Sequence, residues 1–165
     1  QSYKTNSSIN ETISPEQLMD DAFEISSEAL ARSEITVQKE YERVPPITVE
    51  KHKVLQILLN LISNAKHACN EGSGEKKTIT LRIFGSGDNR LSMQVTDTGI
   101  GILPENISNI FKYGFSTRKT GHGLGLHSSA LAARALGGSL TVHSDGLNHG
   151  ATFTLEIPYI TGDTL

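Results

Sequence analysis

The chain is poor in cysteine and in aromatic residues. Of its 165 residues one is cysteine, Cys69, none is tryptophan, and aromatic residues make up 5%. A single cysteine cannot form an internal disulfide or a cysteine-based zinc site, and such usage is typical of a reducing compartment. No apolar run approaches the about 20 residues that cross a bilayer. The sequence itself therefore excludes a disulfide scaffold, a zinc ribbon and a transmembrane helix.

The chain also has no large excess of positive or of negative charge. Fifteen lysine and arginine residues stand against 18 aspartate and glutamate residues, a net charge of −3, which argues against a nucleic-acid partner. Hydrophobic residues make up 36%, so length and composition suit one globular domain with its own core. Because the sequence begins at Gln1 and shows no signal peptide, we expect a cytoplasmic piece of a longer protein.

The hydrophobic periodicities predict helices packed on a sheet. Residues 1–13 are expected to be a linker or N-terminal extension and 159–165 a C-terminal tail, which leaves 14–158 as the domain. Ser14 and Pro15 begin a helix, with Gln17 closing a capping box. In chain order we then expect a helix to about 32, a strand over 35–41, a helix over about 50–70, a hairpin of strands around 79–83 and 91–95, an irregular segment over 97–123, a helix from about 124 to 136, and a final strand pair. The fold class is α+β, a two-layer sandwich with helices on one face of a mixed, largely antiparallel sheet.

The long helix over 50–70 carries two asparagines on a polar stripe. Asn60 and Asn64 are four residues apart, so their side chains are neighbours on the helix surface. A solvated helix face is one interpretation. Asparagine is a poor helix former, however, and carboxamide oxygens are hard ligands that suit Mg²⁺, so a metal site is the other.

Asp97 continues the core-facing parity of Met93 and Val95 in the strand before it. Its carboxylate is therefore expected to point at the core or into a cavity, where it needs a hydrogen-bond donor. One interpretation is a turn aspartate satisfied by local N–H groups, since Thr98 and Gly99 follow. The other is an acceptor for an exocyclic amino group such as that of adenine.

Two glycine clusters flank the irregular segment. Residues 99–101 (Gly-Ile-Gly) follow the strand, and 121–125 (Gly-His-Gly-Leu-Gly) precede the last helix. Glycine lets backbone approach a ligand closely, and the first N–H groups of a helix attract phosphate. The sequence contains no Gly-Lys pair, so it has no Walker A loop, and it lacks the glycine pattern of a dinucleotide site.

The segment between the glycine clusters carries aromatic and basic side chains. They are Phe111, Tyr113 and Phe115, followed by Thr117, Arg118 and Lys119. The aromatics suit a lid that docks on the domain, and the two cations could reach phosphates. A surface loop with anchoring phenylalanines and solvated cations is the alternative.

Together these motifs resemble the catalytic and ATP-binding domain of bacterial sensor histidine kinases. The superfamily also includes DNA gyrase, heat-shock chaperone ATPases and mismatch-repair ATPases. The N box resembles 60–65 (NLISNA), the G1 box 97–102 (DTGIGI), the F box 110–115 (IFKYGF) and the G2 box 121–126 (GHGLGL). All four stand in the family's order and spacing. The resemblance implies a Bergerat ATP-binding fold.

The resemblance also implies a role for individual residues, with ATP and Mg²⁺ as cofactors. Asn64 would be the Mg²⁺ ligand, and Asn60 would contact the phosphates or the metal's waters. Asp97 would accept from the adenine amino group. Backbone and side chains around the nucleotide would come from Gly99, Gly101, Ile102, Thr117, Gly121, His122, Gly123, Leu124, Gly125, Leu126 and Thr152, with Arg118 and Lys119 as catalytic cations.

The chain departs from the family pattern at two places. His67 lies one turn past Asn64, at a cofactor-binding position where relatives often carry lysine or an acidic residue. None of the six histidines precedes an aspartate or glutamate, as the phosphoacceptor histidine of the family does. This piece is therefore not expected to phosphorylate itself at the usual site.

Asn60 also indicates the type of reaction. Hydrolytic relatives carry a glutamate there to activate water, whereas an asparagine is not a competent general base. We therefore expect an ATP-dependent protein histidine kinase domain that phosphorylates a histidine on the dimerisation helices of its parent, and through it a response-regulator receiver domain. The fragment is expected to be a monomer, and the parent a homodimer that could be attached to the inner membrane. An anti-sigma-type protein serine kinase and a non-catalytic nucleotide-binding module are the alternatives.

Overall fold

The computed structural model describes residues 9–87, 89–115 and 125–159. Residues 1–8 of the expected linker and 160–165 of the expected tail lie outside these ranges. The helices and strands follow in the order β1 (Glu11–Ile13), α1 (Pro15–Arg32), β2 (Thr36–Tyr41), β3 (Ile47–Val49), α2 (Lys51–Glu71), β4 (Thr78–Gly85), β5 (Arg90–Asp97), α3 (Pro104–Ile107), α4 (Gly125–Ala135), β6 (Ser139–His143) and β7 (Ala151–Pro158).

Five strands form one mixed sheet in the order β2-β4-β5-β7-β6. β2 runs parallel to β4, and the other neighbouring strands are antiparallel. Alternate residues of β5 and β7 are buried, and these form one core with the apolar sides of α1, α2 and α4. The opposite face is polar, with hydrogen bonds such as that between Gln94 and Thr154. The expected two-layer α+β sandwich is confirmed.

The first helix begins where its capping residues predict. Ser14 is the N-cap, and its hydroxyl accepts from the Gln17 N–H at 3.0 Å. Among the described residues, the Ser14 N–H makes no return bond to the Gln17 side chain, so the expected capping box is not closed. Gln17 donates from Nε2 to Asp21, one turn further along the helix.

Three elements were not expected from the sequence, namely β1, β3 and α3. Residues 11–13, assigned to the linker, form β1 and pair antiparallel with β3, with Ile13 opposite Ile47. Three residues are too few to show an alternation, so this strand depends on the partner edge that β3 offers. The irregular segment likewise contains the single turn of α3, which begins at Pro104.

Helix α2 is the central element of the helical layer. Its buried residues form one apolar arc and are Val54, Ile57, Leu58, Leu61, Ile62, Ala65 and Cys69. This arc fixes the rotation of the helix about its axis. Asn60 and Asn64 are thereby turned away from the core and lie partly exposed on the polar side. Within the described ranges, no helix is long and apolar enough to cross a membrane.

Candidate nucleotide-binding site

Asp97, the last residue of β5, is buried, and among the described residues only one of its two carboxylate oxygens has a hydrogen-bond partner. It is 3% exposed. Its Oδ1 accepts from the Gly99 N–H at 2.8 Å, whereas Oδ2 has no hydrogen-bond partner among the described residues. Burial raises the pKa of Asp97 to about 6, and the backbone N–H groups of Gly99 and Ala151 limit the rise. One carboxylate oxygen is thus used by the local turn, as the first interpretation predicts, and the other has no partner among the described residues.

The turn at residues 99–101 of the G1 box, here called the G1 turn, is held by close backbone packing at its two glycines. A methyl group on Gly99 would overlap the Ala68 carbonyl of α2, and one on Gly101 would overlap the carbonyl oxygen of Gly146. Gly101 also has a φ of +74°, in the left-handed region that glycine adopts without strain. These glycines thus let three backbone segments meet beside Asp97, whereas the sequence suggested contact with a ligand.

The connection between β6 and β7, residues 144–150, supports the G1 turn and was missed by the sequence analysis. The Ser144 hydroxyl accepts from the Ile102 N–H at 3.0 Å and donates to the Gly150 carbonyl at 2.7 Å. The Asn148 N–H donates to the Ile100 carbonyl. The only signal in the sequence was a cluster of turn-forming residues, which says nothing about the segment that the turn contacts.

Asn60 and Asn64 are neighbours on α2 but differ in the hydrogen bonds that their side chains make. The Asn60 amide donates from Nδ2 to the Ser129 hydroxyl at 2.9 Å and to the Gly125 carbonyl at 3.3 Å. Asn60 therefore joins α2 to the first turn of α4. Among the described residues, Asn64 makes no hydrogen bond through its side chain. Its carboxamide oxygen is available to a metal ion.

The other predicted site residues fall into two groups. Gly125 begins α4, Leu126 packs against the core, and His67 lies partly buried one turn beyond Asn64. Gly125 is brought to α2 by its bond to Asn60, and His67 lies on α2 itself. The remaining predictions lie outside the described residues, namely Thr117, Arg118, Lys119, Gly121, His122, Gly123 and Leu124.

Thr152 does not lie beside Asp97, which corrects the expectation from the family resemblance. In the β5–β7 ladder Thr152 is opposite Thr96, and their hydroxyls are hydrogen-bonded at 3.0 Å on the polar face of the sheet. The residue opposite Asp97 is Ala151. Since neighbouring residues of a strand point to opposite faces, Thr152 is removed from the site and Ala151 is the neighbour of Asp97.

Comparison with known proteins agrees with this geometry. Residues 49–161 match the family model described as histidine kinase-, DNA gyrase B-, and HSP90-like ATPase. The chain is 38% identical over 120 residues to the sensor histidine kinase ZraS of Salmonella typhi, covering 72% of this chain and 24% of the relative. It is 30% identical over 112 residues to the sensor protein FixL of Bradyrhizobium diazoefficiens, covering 68% and 22%. The chain thus spans about a quarter of the length of these curated relatives.

Solved structures show the same fold. Full-length ShkA in complex with AMPPNP has a TM-score of 0.81 and 27% identity, over 93% of this chain and 32% of that one. The catalytic domain of the histidine kinase ThkA has a TM-score of 0.78 over 92% of this chain and 98% of that one. At 22% identity, the second likeness concerns the fold alone.

The family match spans more than half of the chain and includes all four sequence boxes. The solved structures share the two-layer fold over 92–93% of this chain. The chain therefore belongs to the histidine kinase-, DNA gyrase B-, and HSP90-like ATPase family, as an ATP-binding catalytic domain of the sensor histidine kinase type.

Proposed function

We propose that this chain binds ATP with Mg²⁺ and transfers the γ-phosphoryl group to a histidine on the dimerisation helices of its parent protein. The observation that carries the proposal is the Asp97 carboxylate, whose Oδ2 is buried and has no partner among the described residues. An unpaired buried acceptor is costly. The exocyclic amino group of adenine would supply the missing donor at this position.

The phosphate end of the nucleotide would lie near Asn64 and the first turn of α4. Mg²⁺ is usually held by one or two protein oxygens together with phosphate oxygens and water. The described residues contain no group of three or more histidine, cysteine, aspartate or glutamate side chains that could hold a metal. Asn64 together with the nucleotide is therefore the ligand set that fits. When bound, Mg²⁺ would neutralise charge on the phosphates.

The reaction would need little covalent chemistry from this chain. The bond between the γ-phosphorus and the β–γ bridging oxygen breaks with its electron pair leaving on ADP, and a bond forms to the unprotonated nitrogen of the neutral imidazole. The proton on the other ring nitrogen would pass to a base of the phosphoacceptor domain. Positioning and charge neutralisation provide most of the catalysis in such a transfer. Asn60 cannot act as a general base, and its amide nitrogen is engaged by α4. We expect ATP hydrolysis to be slow for this reason.

The proposal extends to the parent protein. Its dimerisation helices would present the histidine, a receiver domain would take the phosphoryl group from there, and the reaction would occur in the cytoplasm. Arg118 and Lys119 would contact the transferred group, and they lie outside the described residues.

The test combines a binding and a transfer experiment. Calorimetric titration with ADP and with a non-hydrolysable ATP analogue, each with and without Mg²⁺, is expected to show Mg²⁺-dependent binding. With radiolabelled ATP and a histidine-bearing phosphoacceptor domain, we expect an acid-labile phosphoprotein. Absence of binding at millimolar nucleotide would overturn the proposal. An acid-stable product would point instead to phosphorylation of a hydroxyl group, as by a serine kinase.

Asn64→Ala is expected to remove the enhancement of nucleotide binding by Mg²⁺, with a loss of about tenfold in affinity, since one of very few protein ligands is deleted. Titrations at saturating Mg²⁺ and in chelator measure it. Asn70→Ala on the same helix is the control, because that side chain contacts Ser33 and Lys77 away from Asn64. If Asn64→Ala kept the full Mg²⁺ dependence, the ligand would be another residue.

A further inference from the structure

His127, in the first turn of α4, is bonded to the segment that the sequence assigned to the F box. Its Nδ1 lies 3.1 Å from the carbonyl oxygen of Phe111. A carbonyl oxygen can only accept a hydrogen bond, so Nδ1 carries the proton. The ring also meets Tyr113 edge to face, with centroids 5.3 Å apart at 90°. His127 therefore has both a directional and a packing contact with residues 111–113.

The acceptor of this bond is itself fixed in place. The Phe111 ring packs edge to face on Phe153, with centroids 6.1 Å apart, and Phe153 is 2% exposed in the centre of β7. Tyr113, by contrast, is 74% exposed. The hydrogen bond to Phe111 therefore connects α4 to the core, whereas Tyr113 covers one edge of the imidazole.

The first turn of α4 is consequently held from two sides. On one side the Asn60 amide donates to the Gly125 carbonyl, which joins the turn to α2. On the other side His127 donates to the Phe111 carbonyl. These contacts fix where the N-terminal end of α4 lies relative to Asn64, and the sequence assigned the phosphates to that end of the helix.

We propose that His127 is a positioning residue that sets the first turn of α4 for the phosphates of ATP through its bond to the Phe111 carbonyl. This inference rests on the proposed function, since it assigns His127 to the same nucleotide site. Among the described residues, the interactions of His127 are with Phe111 and Tyr113, and it bonds neither to Asp97 nor to Asn64. Its loss should therefore weaken the binding of phosphates and leave the binding of the base unchanged.

Binding of AMP-PNP with Mg²⁺ and of adenosine, each by the wild-type chain and three variants, tests this assignment. His127→Ala is expected to lower AMP-PNP affinity by about three- to tenfold, the worth of one hydrogen bond, with adenosine affinity unchanged. His127→Asn keeps a side-chain N–H near the position of Nδ1 and is expected to restore most of the loss. His143→Ala is the matched control, because the His143 side chain is 76% exposed and, in the described ranges, bonds only to Asp145.

The tautomer of His127 provides a readout that does not depend on nucleotide. Imidazole ¹⁵N shifts of the free chain are expected to show the Nδ1–H form, and an Nε2–H form would overturn the proposal even if no nucleotide bound. If His127→Ala lost affinity for adenosine and for AMP-PNP equally, the cause would be general destabilisation, and the proposal would be overturned. Unchanged affinity for AMP-PNP would also overturn the proposal. If the wild type bound neither compound, the proposed function would fail, while the tautomer would still test the bond.

Discussion

Asp97→Asn is expected to lower adenosine and ADP affinity by about ten- to a hundredfold, because a hydrogen bond to a charged acceptor is worth about 1.5–3 kcal/mol. The asparagine can still accept from the Gly99 N–H, as Oδ1 does now. Its amide nitrogen would then replace Oδ2, so a donor would face the adenine amino group. Calorimetry of both compounds measures the loss.

Inosine provides the sharper version of this measurement. Its base carries a carbonyl oxygen where adenine carries the amino group, so the new amide donor of Asp97→Asn suits it. We expect the ratio of adenosine to inosine affinity to fall by at least about tenfold. Asp145→Asn is the control, since Asp145 is exposed and, within the part of the chain that the structure describes, its side chain bonds only to His143. An unchanged ratio would show that Asp97 does not read the base.

The raised pKa of Asp97 gives adenosine binding a pH dependence. Burial shifts this pKa from its usual 3.8 to about 6, and a donor from the base prefers the ionised carboxylate. Affinity should therefore rise with pH through about 6, by about tenfold between about pH 5 and about pH 8, following the ionised fraction. Adenosine is the suitable ligand because it has no phosphate that titrates in this range. The profile should be flat in Asp97→Asn, and a flat wild-type profile would contradict the assignment.

The same shift affects the free energy of unfolding with the opposite sign. The folded chain holds the Asp97 proton more tightly than the unfolded chain does, so folding takes up a proton between pH 3.8 and about 6. The contribution of this group is therefore fully present below the lower value and is lost as pH rises to the upper one, by about 3 kcal/mol. At neutral pH the buried, ionised carboxylate of Asp97 therefore lowers the free energy of unfolding.

The sequence predicted those parts of the site that depend on periodicity within one element. The alternation in β5 placed Asp97 on the core face, and the four-residue spacing in α2 placed Asn60 and Asn64 side by side. Both are local consequences of backbone geometry. The same reasoning predicted the two-layer fold, because each helix and each long strand shows which of its sides is apolar.

Contacts between distant segments could not be predicted in this way. Ser144 supports the G1 turn through a bond to Ile102, and the amide of Asn60 is used by α4. The family resemblance assigned Thr152 to the nucleotide, whereas the ladder between β5 and β7 places Ala151, and not Thr152, opposite Asp97. Each case depends on which backbone groups meet in space, and no single element of the sequence carries that information.

Gly101→Ala is expected to destabilise the fold and to lower nucleotide affinity more than tenfold. The alanine would have to hold a φ of +74°, and its methyl group would overlap the carbonyl oxygen of Gly146. The left-handed conformation alone costs about 1 kcal/mol for a residue other than glycine. Relief of the overlap requires movement of residues 144–150 or of the G1 turn beside Asp97, which adds about 2 kcal/mol or more.

Gly87→Ala separates the cost of the left-handed backbone conformation from the cost of the steric overlap. Gly87 has a φ of +71° in the β4–β5 turn, and a methyl group there would have no atom within 4 Å. The Gly87→Ala variant should therefore show only the cost of the left-handed conformation, a decrease of about 1 kcal/mol in the free energy of unfolding by denaturant. Its nucleotide affinity should be unchanged. Gly101→Ala should lose about 3 kcal/mol in the same assay. Equal losses in the two variants would mean that the packing of Gly101 on Gly146 contributes nothing. In that case the G1 turn would be joined to the β6–β7 connection by its hydrogen bonds alone, such as those of Ser144 and Asn148.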